Sequence, residues 1–250
     1  MVHDILEAFL KRLQKSDTDI DESRFFKYAR NLADRYFSEK SFLEIYYGYF
    51  SEIDRESAYQ KIESCLQNFL QSPCYNWIYM VAMGDRSNWM IEPSGFGETR
   101  LSGLKAYCKM DFLLPVKEDV YILDWKTGSK DEAKHKCQLM GYTAAANRNF
   151  NISWDRIFPR IIYLYPQYEE YEIKVNPEEL EYFFEQIRIQ TQQMYAFCSN
   201  AEQNIPLDIE AFPKNPSPPL CKQCRFRELC FPECRSQNNK EDLKFTRMEF

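Results

Sequence analysis

Glycine is scarce in this chain of 250 residues, which has only seven. None of the seven forms a G-x-x-x-x-G-K-[ST] loop or a G-x-G-x-x-G turn, so the sequence has no signature of an ATP-driven motor or of a dinucleotide-binding enzyme. Long apolar runs are also missing. No stretch approaches the ~20 apolar residues that a membrane-spanning helix needs, so we expect no membrane partner.

A secretion signal is absent as well. The first ten residues contain no basic segment followed by a long apolar core, so we expect a cytoplasmic protein. The chain has nine cysteines. In a reducing compartment, clustered thiols are more often metal ligands than disulfide partners. The cysteines are therefore candidate metal ligands.

The net charge of −6 does not favour a nucleic-acid partner, but the charge is unevenly distributed. Residues 101–160 carry 10 basic and 7 acidic side chains, and residues 218–250 carry 7 and 5. Residues 161–217, in contrast, carry 3 basic and 10 acidic side chains. A locally basic surface can bind phosphates on a protein whose net charge is negative. The two basic segments also contain the motifs described below.

Apolar spacing predicts an α/β fold. Hydrophobic residues make up 44% of the chain, enough for a sizeable core. We expect a helical N-terminal region, a central mixed β-sheet flanked by helices, and a small cysteine-bound C-terminal segment. The expected boundaries are 1–72 for the helical region, 73–200 for the core, 201–235 for a proline-rich arm with the cysteines, and 236–250 for a polar tail. Within the core we expect strands at 89–91, 104–114, 120–124, 161–165 and 171–175, a hairpin turn at Glu118-Asp119, and helices at 131–149 and 177–198.

Two carboxylates and a lysine follow the predicted central strands. Asp111 lies in one strand, while Asp124 and Lys126 end the next. Residues i and i+2 of a strand share a face, so Asp124 and Lys126 point the same way, toward Asp111 across the hairpin. Two carboxylates at a sheet edge suit Mg²⁺ or Mn²⁺. The alternative interpretation is a surface ion pair.

The surrounding residues favour the catalytic interpretation. The string Asp124-Trp125-Lys126-Thr127-Gly128 resembles the D-[YW]-K-T-G core of RecB-like nucleases in the PD-(D/E)xK superfamily. Asp111 lies a hairpin upstream, where that family has its first aspartate. Gln138 and Tyr142 match the family's Q-x-x-x-Y on the following helix. Glu92 is a weaker match to a glutamate that often precedes the first aspartate.

The resemblance implies a restriction-endonuclease-like core and a function for each matched residue. Asp111 and Asp124 would bind Mg²⁺ or Mn²⁺, with Glu92 as a further candidate, and Lys126 would complete the catalytic set. Gln138 and Tyr142 would hold the DNA strand, and His135, three residues before Gln138, is an additional candidate. Such enzymes also tend to carry a histidine in an N-terminal helix near the metal. His3 is too close to the terminus to be assigned this role, so we expect that histidine to be missing.

Four cysteines lie close together near the C-terminal end: Cys221, Cys224, Cys230 and Cys234. Their C-x2-C-x5-C spacing predicts a metal site, and spacing alone leaves zinc and an iron–sulfur cluster as alternatives. The resemblance to RecB-like nucleases of the AddB and CRISPR-associated kinds implies a 4Fe–4S cluster with a fourth ligand far upstream. Cys65, Cys74 and the local Cys234 are the candidates for that ligand.

The sequence therefore predicts a metal-dependent DNA nuclease that hydrolyses phosphodiester bonds. We expect an exonuclease acting on single-stranded ends in DNA repair, recombination or defence. Since no motor motif is present, a helicase or a recombination or defence protein would be a separate partner. The missing histidine leaves an inactive RecB-like DNA-binding or scaffold module as the alternative. A plain zinc-binding interaction protein is a third possibility, but it leaves the two motif matches unexplained.

Overall fold

Amphipathic helices form the first part of the chain, as the apolar spacing predicts. The computed structural model describes residues 1–16, 21–92, 99–101, 104–232 and 245–246. Asp21 and Asp54 each cap a helix by accepting a backbone N–H from the first turn. The α-helices are α1 (Val2–Lys15), α2 (Glu22–Glu39), α3 (Leu43–Tyr46), α4 (Arg55–Leu70), α5 (Pro73–Met80), α6 (Glu132–Phe150), α7 (Pro177–Tyr195), α8 (Pro218–Lys222) and α9 (Arg227–Cys230).

A five-stranded mixed sheet lies at the centre, in the order β2-β5-β6-β7-β8. Strands β6 and β7 are parallel and are connected through α6, whereas the other neighbours are antiparallel. The strands are β1 (Ser41–Phe42), β2 (Met90–Ile91), β3 (Thr99–Leu101), β4 (Leu104–Ala106), β5 (Phe112–Val116), β6 (Asp119–Lys126), β7 (Ile157–Tyr163), β8 (Glu169–Glu172), β9 (Cys198–Asn200), β10 (Ile205–Pro206) and β11 (Phe245–Thr246).

Helices cover both faces of this sheet. On one face, side chains of α1, α2, α4 and α5 share a buried core with alternate strand residues such as Phe112, Leu123 and Trp125. On the other face, α6 and α7 pack against the strand residues in between, such as Leu113 and Ile122. The result is the mixed α/β arrangement that the sequence predicts. The first core is continuous across residue 72, where the sequence suggests a domain boundary.

The β5–β6 hairpin carries the motif residues, and its details differ slightly from the prediction. Val116 pairs with Asp119, so the turn is Lys117-Glu118, one residue earlier than expected. Lys117 has a φ of 57° there. The single strand expected over 104–114 is divided, because residues 107–111 form no strand. In that segment the Lys109 carbonyl accepts a hydrogen bond from the Tyr142 hydroxyl instead of from a neighbouring strand.

For residues 73–88 the sequence predicts no particular strand or helix. The structure forms α5 there, followed by a 3-10 helix at Ala82–Asn88. The Ser72 hydroxyl caps α5, and Pro73 occupies its first turn, where the missing N–H costs nothing. Among the described residues, none of the helices combines the length and the apolar character that crossing a membrane would require.

Candidate active site

Asp111 and Asp124 lie side by side near the ends of two paired strands. Asp111 immediately precedes β5, and Asp124 lies in β6, in a ladder that pairs Phe112 with Leu123. The Oδ2 atom of Asp111 accepts the backbone N–H of Trp125 at 2.8 Å. Strand β6 therefore holds the Asp111 carboxylate through its backbone and also carries Asp124.

Strand alternation sends the motif residues to opposite faces of the sheet. Trp125 is buried among the N-terminal helices, where its ring meets Phe69 edge-on at 5.3 Å. Asp124 and Lys126 therefore point the other way, toward α6, as the i, i+2 spacing predicts. The Nζ of Lys126 forms an ion pair with Oδ2 of Asp124.

Asp124 is the most enclosed charged group of the site, with 2% of its surface exposed. Its Oδ1 accepts from Gln138 Nε2 at 3.1 Å and lies 2.8 Å from the Tyr142 hydroxyl oxygen. Its Oδ2 is within ion-pair distance of Lys126, but no hydrogen bond of good geometry reaches it within the described part of the chain. One buried carboxylate oxygen is thus left available for a further positive partner.

The electrostatics of the site are unfavourable to a second negative charge. Burial, followed by the charge of Asp111, raises the pKa of Asp124 above its usual value, and the Lys126 ammonium only partly opposes this. Burial alone would lower the pKa of His3, but the hydrogen bond and charge of Asp111 outweigh it and raise that pKa. Asp111 raises both pKa values, and its negative charge beside the buried Asp124 favours a cation at this place.

His3 belongs to this site, and the expectation of a missing histidine is wrong. Its Nε2 lies 2.9 Å from the Trp125 carbonyl oxygen and 3.3 Å from Asp111 Oδ2. Helix α1 begins at Val2 and buries Leu6 and Leu10, which places His3 over the sheet edge. Positions 3, 6 and 10 share one helical face, which indicates that His3 points toward the core but not that it meets Asp111.

Glu92 and Lys109 form a separate pair beside the carboxylates. The backbone N–H of Glu92 donates to the Asp111 carbonyl at 2.9 Å, so the two residues are neighbours. The Glu92 carboxylate, however, is 2.7 Å from Lys109 Nζ. That ion pair raises the pKa of Lys109, and it occupies the side chain that the sequence suggests as a further metal ligand.

The three residues expected to hold DNA differ in burial. Gln138 is half-buried, whereas Tyr142 is 4% and His135 is 5% exposed. His135 Nδ1 is 2.6 Å from the Tyr163 hydroxyl, and burial and the nearby Lys126 lower its pKa. Tyr142 and His135 thus have little surface to offer a DNA strand. Their contacts are those of positioning residues.

The donor atoms fit a divalent cation bound in part by solvent and substrate. Among the described residues, no group of three or more His, Cys, Asp and Glu side chains forms a ready-made metal site. Two adjacent carboxylates, with one buried oxygen lacking a hydrogen bond, nevertheless match Mg²⁺. This ion usually takes one or two protein carboxylates and completes its shell with water and phosphate oxygens.

Comparison with known families agrees with this geometry. The sequence profile of the PD-(D/E)XK nuclease superfamily matches residues 1–231. The chain belongs to this superfamily. The comparison with curated proteins finds no match. A solved structure from Eubacterium rectale, described as a candidate exonuclease, is similar over 82% of this chain and 80% of that one, with 12% identity and a TM-score of 0.38. That likeness is too weak to support an argument.

In this PD-(D/E)XK nuclease the cysteine segment lies apart from the carboxylates. Cys221 lies in α8, Cys224 follows it, and Cys230 ends α9; Cys234 lies outside the described residues. The thiols within the described ranges do not converge into a metal site. Cys65 and Cys74 are buried, and burial raises the pKa of their thiols to about 11 and about 12.

The cysteine segment does return to the N-terminal helical region, but through aromatic contacts. The Arg227 guanidinium lies 5.0 Å from the centre of the Tyr47 ring and donates to the Tyr49 hydroxyl. Lys222 Nζ lies 5.4 Å from the centre of the Tyr49 ring. These cation–π contacts join the cysteine segment to residues 47–49 of the N-terminal region.

Proposed function

We propose that this nuclease is a divalent-metal-dependent deoxyribonuclease of the RecB-like branch, acting as an exonuclease on single-stranded ends. The proposal rests mainly on the arrangement of the two carboxylates. Asp111 accepts the backbone N–H of Trp125, and the neighbouring Asp124 forms an ion pair with Lys126. The D-W-K-T-G string and the Gln138–Tyr142 spacing support the RecB-like assignment. His3 beside Asp111 removes the reason for preferring an inactive module.

Each residue of the site has a proposed role. Asp111, Asp124 and the Trp125 carbonyl would hold Mg²⁺ or Mn²⁺, with His3 beside them. Such an ion, when bound, would supply Lewis-acid chemistry to a phosphate ester and a water molecule. The ammonium of Lys126 would orient the attacking water or neutralise charge that develops on the phosphate.

Helix α6 supplies the supporting contacts. Gln138 donates to Asp124 Oδ1, and its half-buried position leaves part of the amide accessible to a DNA strand. Tyr142 holds the Asp124 side chain and the 107–111 segment in place, because its hydroxyl is hydrogen-bonded to both. His135 supports the same helix through Tyr163. We propose Glu92 as an outer residue that positions Lys109.

The test is cleavage of end-labelled single-stranded DNA by the purified protein. We expect degradation with Mg²⁺ or Mn²⁺ and none in EDTA. Asp124→Ala and Lys126→Ala are expected to lower the rate by about 100-fold or more while circular dichroism stays unchanged. Asp119→Ala, at the other end of β6, is the matched control and keeps the wild-type rate. Cleavage in EDTA, or a wild-type rate in either active-site variant, contradicts the proposal.

We further propose that the C-x2-C-x5-C segment binds a metal centre, with a 4Fe–4S cluster favoured over zinc. The spacing of Cys221, Cys224 and Cys230 and the family resemblance support this. The described thiols do not form a ligand set. A separate helicase or a recombination or defence protein is the proposed partner.

A further inference from the structure

A pocket of about 410 Å³ adjoins the candidate active site. It lies between α6, α7 and residues 106–109. Two of its lining residues, Gln138 and Tyr142, are the same residues that contact Asp124 Oδ1 at 3.1 and 2.8 Å. Gln138 and Tyr142 therefore border both the pocket and the Asp124 carboxylate.

The lining of the pocket combines apolar, aromatic and basic groups. Phe183 and Ile187 of α7 provide apolar surface. Tyr107 also lines the pocket and is 72% exposed. Lys109 lines it as well, with its ammonium paired to the Glu92 carboxylate at 2.7 Å. An exposed aromatic ring can bind an unpaired nucleobase through its face.

Gly141 extends this pocket to the backbone of α6. It lies within a 19-residue helix, where glycine costs about 0.5–1 kcal/mol relative to alanine. A Cβ atom at this position would lie 3.5 Å from Cζ of Phe183 and 3.9 Å from Sγ of Cys108, both ordinary contact distances. Alanine would therefore fit, and packing alone does not require glycine. A larger side chain would project into the pocket.

A neighbouring cavity shows why this pocket suits DNA and the other does not. The second cavity, of about 520 Å³, shares Cys137 and Phe183 with the first but also includes Lys136, Glu178 and Glu179. Lys136 pairs with Glu179 at 2.6 Å, and Glu178 adds a further carboxylate, which disfavours a phosphate backbone. It also presents an exposed tyrosine, Tyr182, which provides a matched control for Tyr107.

We propose that the first pocket receives the unpaired base of a nucleotide next to the scissile phosphate, with Tyr107 stacking on that base. The inference rests on the proposed nuclease function and extends it to the form of the substrate. A base inside a duplex is not accessible to such a pocket unless it is first unstacked and unpaired, which costs free energy. The pocket therefore selects single strands or frayed ends.

The experiment compares binding of two fluorescein-labelled oligonucleotides by anisotropy in EDTA, where no cleavage occurs. One is single-stranded DNA with normal bases, and the other has the same length with abasic tetrahydrofuran units throughout. Tyr107→Ala is expected to weaken binding of the normal strand by about 5- to 150-fold, the range for loss of one stacked base. It should leave binding of the abasic strand unchanged. Tyr182→Ala should change neither.

A graded series at Gly141 provides the second variant. Gly141→Ala should bind the normal strand nearly as the wild type does, whereas Gly141→Leu should fill the pocket and weaken binding as Tyr107→Ala does. Unchanged binding in both Tyr107→Ala and Gly141→Leu overturns the base pocket. Equal losses on normal and abasic strands also overturn it, because Tyr107 would then contact the backbone. If the wild type neither binds nor cuts any DNA, the proposed function itself has failed.

Discussion

Asp124 has an electrostatic cost that a bound cation would relieve. Burial and the charge of Asp111 raise its pKa, so its ionised form is disfavoured in the folded protein. A carboxyl with a raised folded pKa contributes most stability below its unfolded pKa, and this contribution declines as the pH rises toward the folded pKa. Near neutral pH the metal-free protein therefore loses stability by keeping Asp124 charged.

We expect Asp124→Asn to stabilise the metal-free protein at neutral pH by about 1 kcal/mol. For a chain of this size that corresponds to a rise in Tm of about 2–4 °C by differential scanning calorimetry. Addition of Mg²⁺ should raise the Tm of the wild type but not that of the variant. The difference between the two metal-free proteins should shrink as the pH falls from the raised folded pKa of Asp124 toward about 4, and it should be lost below that pH, where the wild-type carboxyl is protonated in both states.

Asp119→Asn is the control for this measurement. Asp119 starts the same strand but pairs with Arg156 at 3.0 Å, away from the site. It should leave the Mg²⁺ response of the wild type intact. A metal-free Asp124→Asn protein that is less stable than the wild type at neutral pH would contradict the electrostatic account.

His3 provides a second test at the level of single side chains. It contacts Asp111 and the Trp125 carbonyl, so His3→Ala should weaken the metal-binding group. Loss of a side chain that supports a metal site typically costs about 10- to 100-fold in metal affinity or activity. The measurement is the Mn²⁺ concentration that half-saturates the cleavage rate. Lys11→Ala, on the exposed side of α1, should show no change, and a wild-type Mn²⁺ dependence of His3→Ala would exclude this role.

Helix α6 acts as the support of the site. Asp131 caps its first turn, and the Q-x-x-x-Y spacing then places Gln138 and Tyr142 over the Asp124 carboxylate. The sequence predicts this helix and the Q-x-x-x-Y spacing on it. It did not predict the burial of Tyr142, because burial depends on how α7 and the 107–111 segment close over the helix.

The contacts of Tyr142 lead to a prediction that separates positioning from DNA holding. Tyr142→Phe keeps the buried ring but removes the hydroxyl from Asp124 and from the Lys109 carbonyl. We expect the cleavage rate to fall by about 10-fold or more. Affinity for single-stranded DNA, measured in EDTA, should stay within twofold of the wild type. A loss of affinity as large as the loss of rate would instead support the strand-holding role that the motif suggests.

The metal site expected in the C-terminal cysteine segment stays a prediction. The C-x2-C-x5-C spacing predicts a metal site, and the family resemblance implies a cluster whose fourth ligand lies far upstream, with the local Cys234 as the alternative. The segment does lie against the N-terminal helical region, yet its contacts are between Arg227, Lys222 and tyrosine rings. Sequence spacing does not distinguish a metal cluster from these aromatic contacts, because both bring the same two regions together.

Metal analysis of anaerobically purified protein tests the cysteine segment. If a 4Fe–4S cluster is present, the protein is brown, absorbs broadly near ~400 nm and contains iron and sulfide. Cys224→Ser should then lose the colour, while Cys198→Ser, outside the motif, should keep it. Colourless protein with one equivalent of zinc and no sulfide excludes the iron–sulfur cluster. Neither result affects the carboxylate site.

The molecule is a mixed sheet between two helical layers. Its local features can be predicted from the sequence better than the contacts between distant segments. Strand alternation in β6 predicts which face Trp125 and Asp124 occupy, because the pattern is local. His3 reaches the site because α1 packs against the central sheet. Its contact at Trp125 is 122 residues away along the chain. Single-sequence spacing does not contain such long-range packing, so the site was predicted without its histidine.

The central claim is that Asp111 and Asp124 bind one divalent ion together. Anomalous diffraction from a crystal of the nuclease grown with Mn²⁺ tests it most directly. The account predicts one strong peak at about 2.0–2.2 Å from a carboxylate oxygen of each residue, with the remaining positions completed by the Trp125 carbonyl or by water. Asp124→Ala should remove the peak. A peak bound to only one of the two carboxylates, or no peak between them at saturating Mn²⁺, would contradict the account.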